Sequence, residues 1–164
     1  MFREHLPIGE VALRLAIATA AGALIGLNRW LRRKAAGLCT HAMVALSAAL
    51  ATLVAVVAPG ADAQAVSRVI QGIVAGVGFI GAGVILHLNR ENKIQGLTTA
   101  ASIWTAAVFG IASAAADFRV VTLGVSFALI VLVLGKHFER LMNRVIRHRP
   151  ERKRRPRPDA PDRS

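Results

Sequence analysis

Few side chains in this sequence are equipped for chemistry, and most gather around two short strings. Gly37-Leu38-Cys39-Thr40-His41-Ala42 and Gly96-Leu97-Thr98-Thr99-Ala100-Ala101 both read Gly-Leu-x-Thr-x-Ala. Glycine permits a tight turn, and a threonine hydroxyl can satisfy a free backbone N–H at a helix start. Each string is therefore expected to open a helix, with Thr40 and Thr99 as caps. Two helix amino termini brought together offer free N–H groups and positive dipole ends, which suit an anion or a polar substrate. Asn28, Arg29, His41, Gln95, Thr98 and Ser102 would add polar groups. The expected site is one polar cluster of Asn28, Arg29, Thr40, His41, Thr98, Thr99 and Ser102. Trp104 stands in or beside it, as a packing residue or a gate. The plainer alternative is that the two threonines only cap their helices.

Other chemistries find little to work with. Cys39 is the single cysteine, there is no tyrosine, and five histidines are scattered without metal-ligand spacing. No nucleophile–base pair can be assembled, so no enzyme, metal site or cofactor is expected. Glu10 and Arg14 stand four apart and can pair on one helix face. Arg14 is also near enough to a helix end to snorkel. No carboxylate lies deep in an apolar stretch, which argues against a metal or proton conduit.

The elements that would carry these residues follow from composition. The 164 residues suit one domain. They are 54% hydrophobic and 18% charged, with a net charge of +12. So few polar residues would leave a small soluble sphere poorly covered. The charge is segregated, with 11 of 21 Lys and Arg in the stretch from Lys136 to Ser164. This pattern argues against a soluble enzyme, a collagen and a disulfide scaffold. A membrane-spanning helix needs about 20 mostly apolar residues. Five stretches qualify, near Val11 to Leu27, His41 to Ala58, Val69 to His87, Leu97 to Ala116 and Val120 to Lys136. Period-2 alternation is absent, so a membrane barrel is not expected. The first stretch is not read as a cleaved signal, because its basic cluster follows it. The expected fold is all-α: about five transmembrane helices, with a fifth helix and a basic tail after two helical hairpins.

Lys and Arg placement gives an orientation. With the amino terminus outside, 17 cations lie on the cytoplasmic side and 4 opposite (Arg3, Arg14, Arg68 and Arg119). The expected outer loops carry Asp62 and Asp117 instead. The repeated strings, offset by 59 residues, suggest that the hairpins are duplicates related by an axis along the membrane normal. Gly22 and Gly26 form a Gly-x-x-x-Gly pair, as do Gly72 and Gly76, and Gly78, Gly81 and Gly83 follow. Small residues at such spacing let helices pack closely.

Three segments result: a polytopic membrane domain over 1–137, an amphipathic juxtamembrane segment over 138–149 and a disordered basic tail over 150–164. In the second, Phe138, Leu141, Met142, Val145 and Ile146 recur at helical spacing between arginines. The tail is rich in proline and like charge. Beside a bilayer it would attract anionic lipid at about 1 kcal/mol per cation. No aromatic platform accompanies it, so no nucleic-acid partner is expected. The expected partners are the bilayer and another membrane protein, and self-association stays open.

Four strings in order carry a family likeness. They are Ala23-Leu24-Ile25-Gly26-Leu27-Asn28-Arg29, Ala36-Gly37-Leu38-Cys39-Thr40-His41, Gly76-Val77-Gly78-Phe79-Ile80-Gly81-Ala82-Gly83-Val84-Ile85 and Gly96-Leu97-Thr98-Thr99-Ala100-Ala101-Ser102-Ile103-Trp104. Together they resemble the amino-terminal membrane domain of the MgtC/SapB family. The resemblance implies a bacterial inner-membrane protein linked to growth at low magnesium and, in some pathogens, to virulence. It implies a regulator that acts on other membrane machinery. Two residues depart from the family pattern, Asn28 where Glu is usual and Cys39 where Arg is usual. The double loss suggests that the two positions are close in space, since losing only one would strand a charge. Many relatives also carry a soluble carboxyl-terminal domain, where a basic tail stands here. Two readings remain: a non-enzymatic membrane regulator, and a Mg²⁺ or small-solute transporter subunit.

Overall fold

The computed structural model describes residues 6–87 and 95–147. Five helices follow one another: α1 (Ile8–Leu31), α2 (Leu38–Val57), α3 (Ala63–His87), α4 (Leu97–Ala115) and α5 (Phe118–Arg147). No strand occurs among the described residues. Each helix contains a stretch long and apolar enough to cross a membrane. The chain is therefore an all-α, multi-pass membrane protein, and the five expected spans are these helices. The α5 helix runs on through much of the expected juxtamembrane segment. The basic tail over 150–164, and Arg90 and Lys93 of the α3–α4 connection, lie outside the described residues.

Local chemistry sets the helix ends. Pro7 precedes α1, and its carbonyl accepts the N–H groups of Glu10 (2.9 Å) and Val11 (3.1 Å). At the other end, Arg33 N–H donates to Trp30 O at 2.9 Å and Lys34 N–H to Arg29 O at 3.1 Å. This is a Schellman closure, with Arg33 at φ 50° where glycine is usual. Asp62 and Asp117, in the connections before α3 and α5, act as caps. Asp62 Oδ1 accepts the Ala65 N–H at 2.6 Å, and Asp117 Oδ1 accepts the Arg119 N–H at 2.8 Å.

Both Gly-Leu-x-Thr strings open helices, but the expected caps are corrected. The N-caps are Gly37 and Gly96, and neither helix has a side-chain cap bond. Gly96 turns at φ 85°, a left-handed conformation that suits glycine. Each helix thus begins at the leucine, which puts Thr40 and Thr99 at the third helical position rather than at the cap.

The α4 helix is the hub. Half of its span is buried, against 11% for α3 and for α5. It contributes to all three apolar clusters: with α2 and α3 at Ala48, Val77 and Ile103, with α1 and α5 at Ile25, Phe109 and Val121, and with α1 and α2 at Ala18, Leu53 and Ala114. By sequence it carries more hydroxyls than a lipid-facing helix would. Thr99, Ser102 and Ser113 are buried, since lipid already solvates apolar surface and small residues take the helix–helix contacts. Ser113 donates to the Phe109 carbonyl at 2.7 Å, and Thr52 of α2 to the Ala48 carbonyl at 2.8 Å. Each hydroxyl is satisfied within its own helix.

Glycines set the closest approaches. A Cβ at Gly22 would collide with the His41 carbonyl, and one at Gly26 would lie 2.7 Å from Leu38 Cα. The same holds at Gly110, which meets the Ala45 carbonyl, and at Gly124, where Phe109 Cε1 would be 2.6 Å away. Those last two escaped the sequence reading. Around Gly72, Gly76, Gly78 and Gly83 there is open space within 4 Å, and Gly81 makes an ordinary contact with Ala100 at 3.4 Å. Gly22 facing His41 and Gly81 facing Ala100 are the same contact displaced by 59 residues.

Candidate functional site

A buried stripe on α1 runs Ala18, Ala21, Gly22, Ile25, Gly26 and ends at Arg29. The spacing of three and four keeps these residues on one face. Since Gly22 and Gly26 admit α2 closely, Arg29 is drawn into the bundle and is only 1% exposed. Its Nη2 donates to Thr99 Oγ1 at 2.6 Å, in the first turn of α4. Its Nε is buried with no partner, and so is Oδ1 of the neighbouring Asn28. Among the described residues no carboxylate lies within ion-pair distance of Arg29. The charge next along the helix, Arg32, has the same sign and repels it.

His41 and Ser102 continue the cluster. The His41 ring is fully buried, and its Nδ1–H donates to the Gly37 carbonyl at 2.7 Å. Its Nε2 lies 3.0 Å from Ser102 Oγ. The one hydroxyl hydrogen of Ser102 also has the Thr99 carbonyl within reach, at 2.8 Å. Arg29, His41, Thr99 and Ser102 are thus one hydrogen-bonded group that ties α1, α2 and α4 together. Of the other residues expected here, Asn28 sits at its edge, half-buried, while Thr40, Thr98 and Trp104 are exposed. Thr99 and Ser102 are three apart and share the inner face of α4, whereas Trp104 points elsewhere, 45% exposed.

A second arginine of α1 sits at the opposite end of α4. Arg14 pairs with Glu10 at 2.9 Å. Its Nη1 donates to the carbonyls of Ser113 (3.1 Å) and Ala114 (2.9 Å), at the carboxyl end of α4. Its guanidinium carbon lies 5.4 Å from the Phe118 ring centroid. This goes beyond snorkelling: the side chain caps a neighbouring helix.

Two cavities are lined by residues other than the four of the cluster. One, of about 370 Å³, opens between α1 and the start of α2, lined by Leu27, Trp30, Gly37, Leu38, Cys39 and Thr40. The exposed thiol of Cys39 thus shares a cavity with Leu27, the residue before Asn28. The other is an apolar groove of about 340 Å³ between α2 and α3, whose lining includes Met43, Ser47, Ile73 and Gly76. Among the described residues no three His, Cys, Asp or Glu side chains come together as a metal site would need.

Comparison with known proteins identifies the family. The MgtC family profile matches residues 15–141. This chain belongs to the MgtC family. It is 38% identical to Protein SrpB of Synechococcus elongatus over 149 residues, which is 83% of this chain and 82% of that protein. It is 39% identical to Protein SapB of Bacillus subtilis over 127 residues, 74% of this chain and 54% of SapB. The protein named putative magnesium transporter YhiD in Escherichia coli K12 is 38% identical over 143 residues, 82% of this chain and 65% of YhiD. The chain thus spans between about half and four fifths of these relatives. No solved structure matches this MgtC family chain.

Proposed function

We propose that this MgtC family chain is a non-enzymatic regulator in the bacterial inner membrane, linked to magnesium limitation, that acts on other membrane proteins. The observation that carries the reading is the sign of the charge in its polar cluster. Mg²⁺ is bound through oxygen ligands, usually carboxylates. The cluster holds a buried arginine and no acid. No Asp or Glu occurs in the sequence between Glu10 and Asp62. A conduit for a divalent cation would place an uncompensated cation badly there, whereas a regulator has no such constraint. In this reading the amino terminus faces outward, both basic loops and the tail face the cytoplasm, and the tail cations hold anionic lipid.

The transporter reading keeps one specific support. The equivalent contacts Gly22–His41 and Gly81–Ala100 fit a parallel repeat, an architecture that some transporters use. Flux in reconstituted vesicles separates the two. The regulator reading expects no saturable Mg²⁺ uptake and a membrane complex that co-purifies in mild detergent. Saturable uptake would favour transport. For orientation, a cysteine at position 92 in a background lacking Cys39 should resist labelling from outside intact cells.

A further inference from the structure

We propose that the Arg29 cluster is a binding site for a phosphate oxyanion, presented by a lipid headgroup or as free phosphate. The inference stands on the cluster itself and does not depend on the regulator reading.

Arg29 is the first ground. It is only 1% exposed, yet among the described residues its one hydrogen bond goes to a neutral hydroxyl. A buried cation without a counter-charge is costly, and folds rarely keep one with nothing to meet it. Its Nε remains a donor with no acceptor.

The surroundings are the second ground, and they are positive. Arg29 reaches the first turn of α4, beside the first turn of α2. Both helices have glycine N-caps with no side-chain bond, so their leading N–H groups are left for an external acceptor. Helix amino termini and a guanidinium are a recurrent pairing for phosphate. Arg32, Arg33 and Lys34 follow at the same end, and Arg33 and Lys34 are exposed. So much positive charge suits a phosphate better than a single carboxylate.

Asn28 narrows the ligand. Its Oδ1 is an orphan acceptor on the residue that precedes Arg29. A hydrogen phosphate, or a phosphodiester whose headgroup carries a hydroxyl, offers both an acceptor and a donor. The location fits as well. Arg29 is in the last turn of a membrane-spanning helix, next to Trp30, which is 62% exposed, as an interfacial tryptophan would be.

The test uses the full chain in neutral detergent, probed separately with phosphatidylglycerol, inorganic phosphate and, as a phosphate-free control, diacylglycerol. The wild type is expected to bind phosphatidylglycerol, inorganic phosphate or both, but not diacylglycerol, and to keep binding at high salt. Whichever phosphate probe binds identifies the source. R29Q should weaken binding by about tenfold or more, as loss of a charged hydrogen-bonding group does. The exposed pair R33A/K34A should weaken it by no more than about threefold, because exposed charges are screened. Circular dichroism and gel filtration check that R29Q folds. If it does not, R29K and T99V serve, with intermediate losses expected because the fork or its hydroxyl anchor is gone. Equal binding by wild type and every folded variant at Arg29 or Thr99 overturns the proposal, as does binding of neither phosphate probe.

Discussion

The α1 helix carries two arginines about 22 Å apart, and α4 lies across both. At its carboxyl end, Arg14 finds everything a guanidinium requires: a carboxylate, two backbone carbonyls and an aromatic face. The helix dipole there is negative and adds to the attraction. At its amino end, Arg29 finds one hydroxyl, the positive end of the dipole and a like charge. The first arrangement is a joint. The second is more deeply buried and less satisfied, an arrangement that structural needs alone do not explain. An ionisable residue buried in a membrane domain is a functional candidate by default.

The contrast can be broken most directly at Arg14. R14M removes the pair with Glu10, whose side chains are only 18% and 25% exposed, and strands the α4 carbonyls. It should cost about 3 kcal/mol in thermal unfolding in detergent. R29M should act with the opposite sign. Replacing an uncompensated buried charge by an apolar side chain should leave stability unchanged or raise it by about 1–2 kcal/mol, while growth at low magnesium is lost. A destabilisation as large as that of R14M would erase the difference between the two ends. T99V sharpens the point: it removes the hydroxyl that anchors Arg29 at about 1 kcal/mol and should impair growth at low magnesium. T40V, at the matching but exposed position, should leave growth normal. The smallest effect is R33G, which relieves the left-handed backbone at the close of α1 and should stabilise by up to about 1 kcal/mol. A loss of stability would mean that the Arg33 side chain makes a contact worth more than that strain.

The spans were legible because a bilayer demands long apolar stretches, and charge segregation marks where they stop. The faces of the helices were harder to read. In a soluble helix the polar side marks itself, but here both faces are apolar. Only the rare polar residue gives a direction, and it does so imperfectly. Arg29, His41, Thr99 and Ser102 turned inward to meet, whereas Thr40, Thr98 and Trp104, from the same strings, face out. Gly-x-x-x-Gly marked the α1–α2 contact, yet the same spacing in α3 borders open space. Gly110 and Gly124 stand alone, with no partner glycine to announce them. The capping of α4 by Arg14 joins residues about a hundred positions apart, and no local pattern encodes such a contact.

The place of α4 at the hub has a consequence for how the chain is made. Synthesis delivers helices in order, and helices inserted in a bilayer associate afterwards. The α1–α2 hairpin can close early, because Gly22 and Gly26 meet residues only a short loop away. Every cluster that unites the bundle needs α4, however, so lasting assembly waits for the fourth helix. Until it arrives, Arg14 has Glu10 within its own helix to hold. Arg29 gains its hydrogen bond to Thr99 when α4 enters the membrane. The completed polar cluster therefore also marks, in the nascent chain, that assembly has passed the point of commitment.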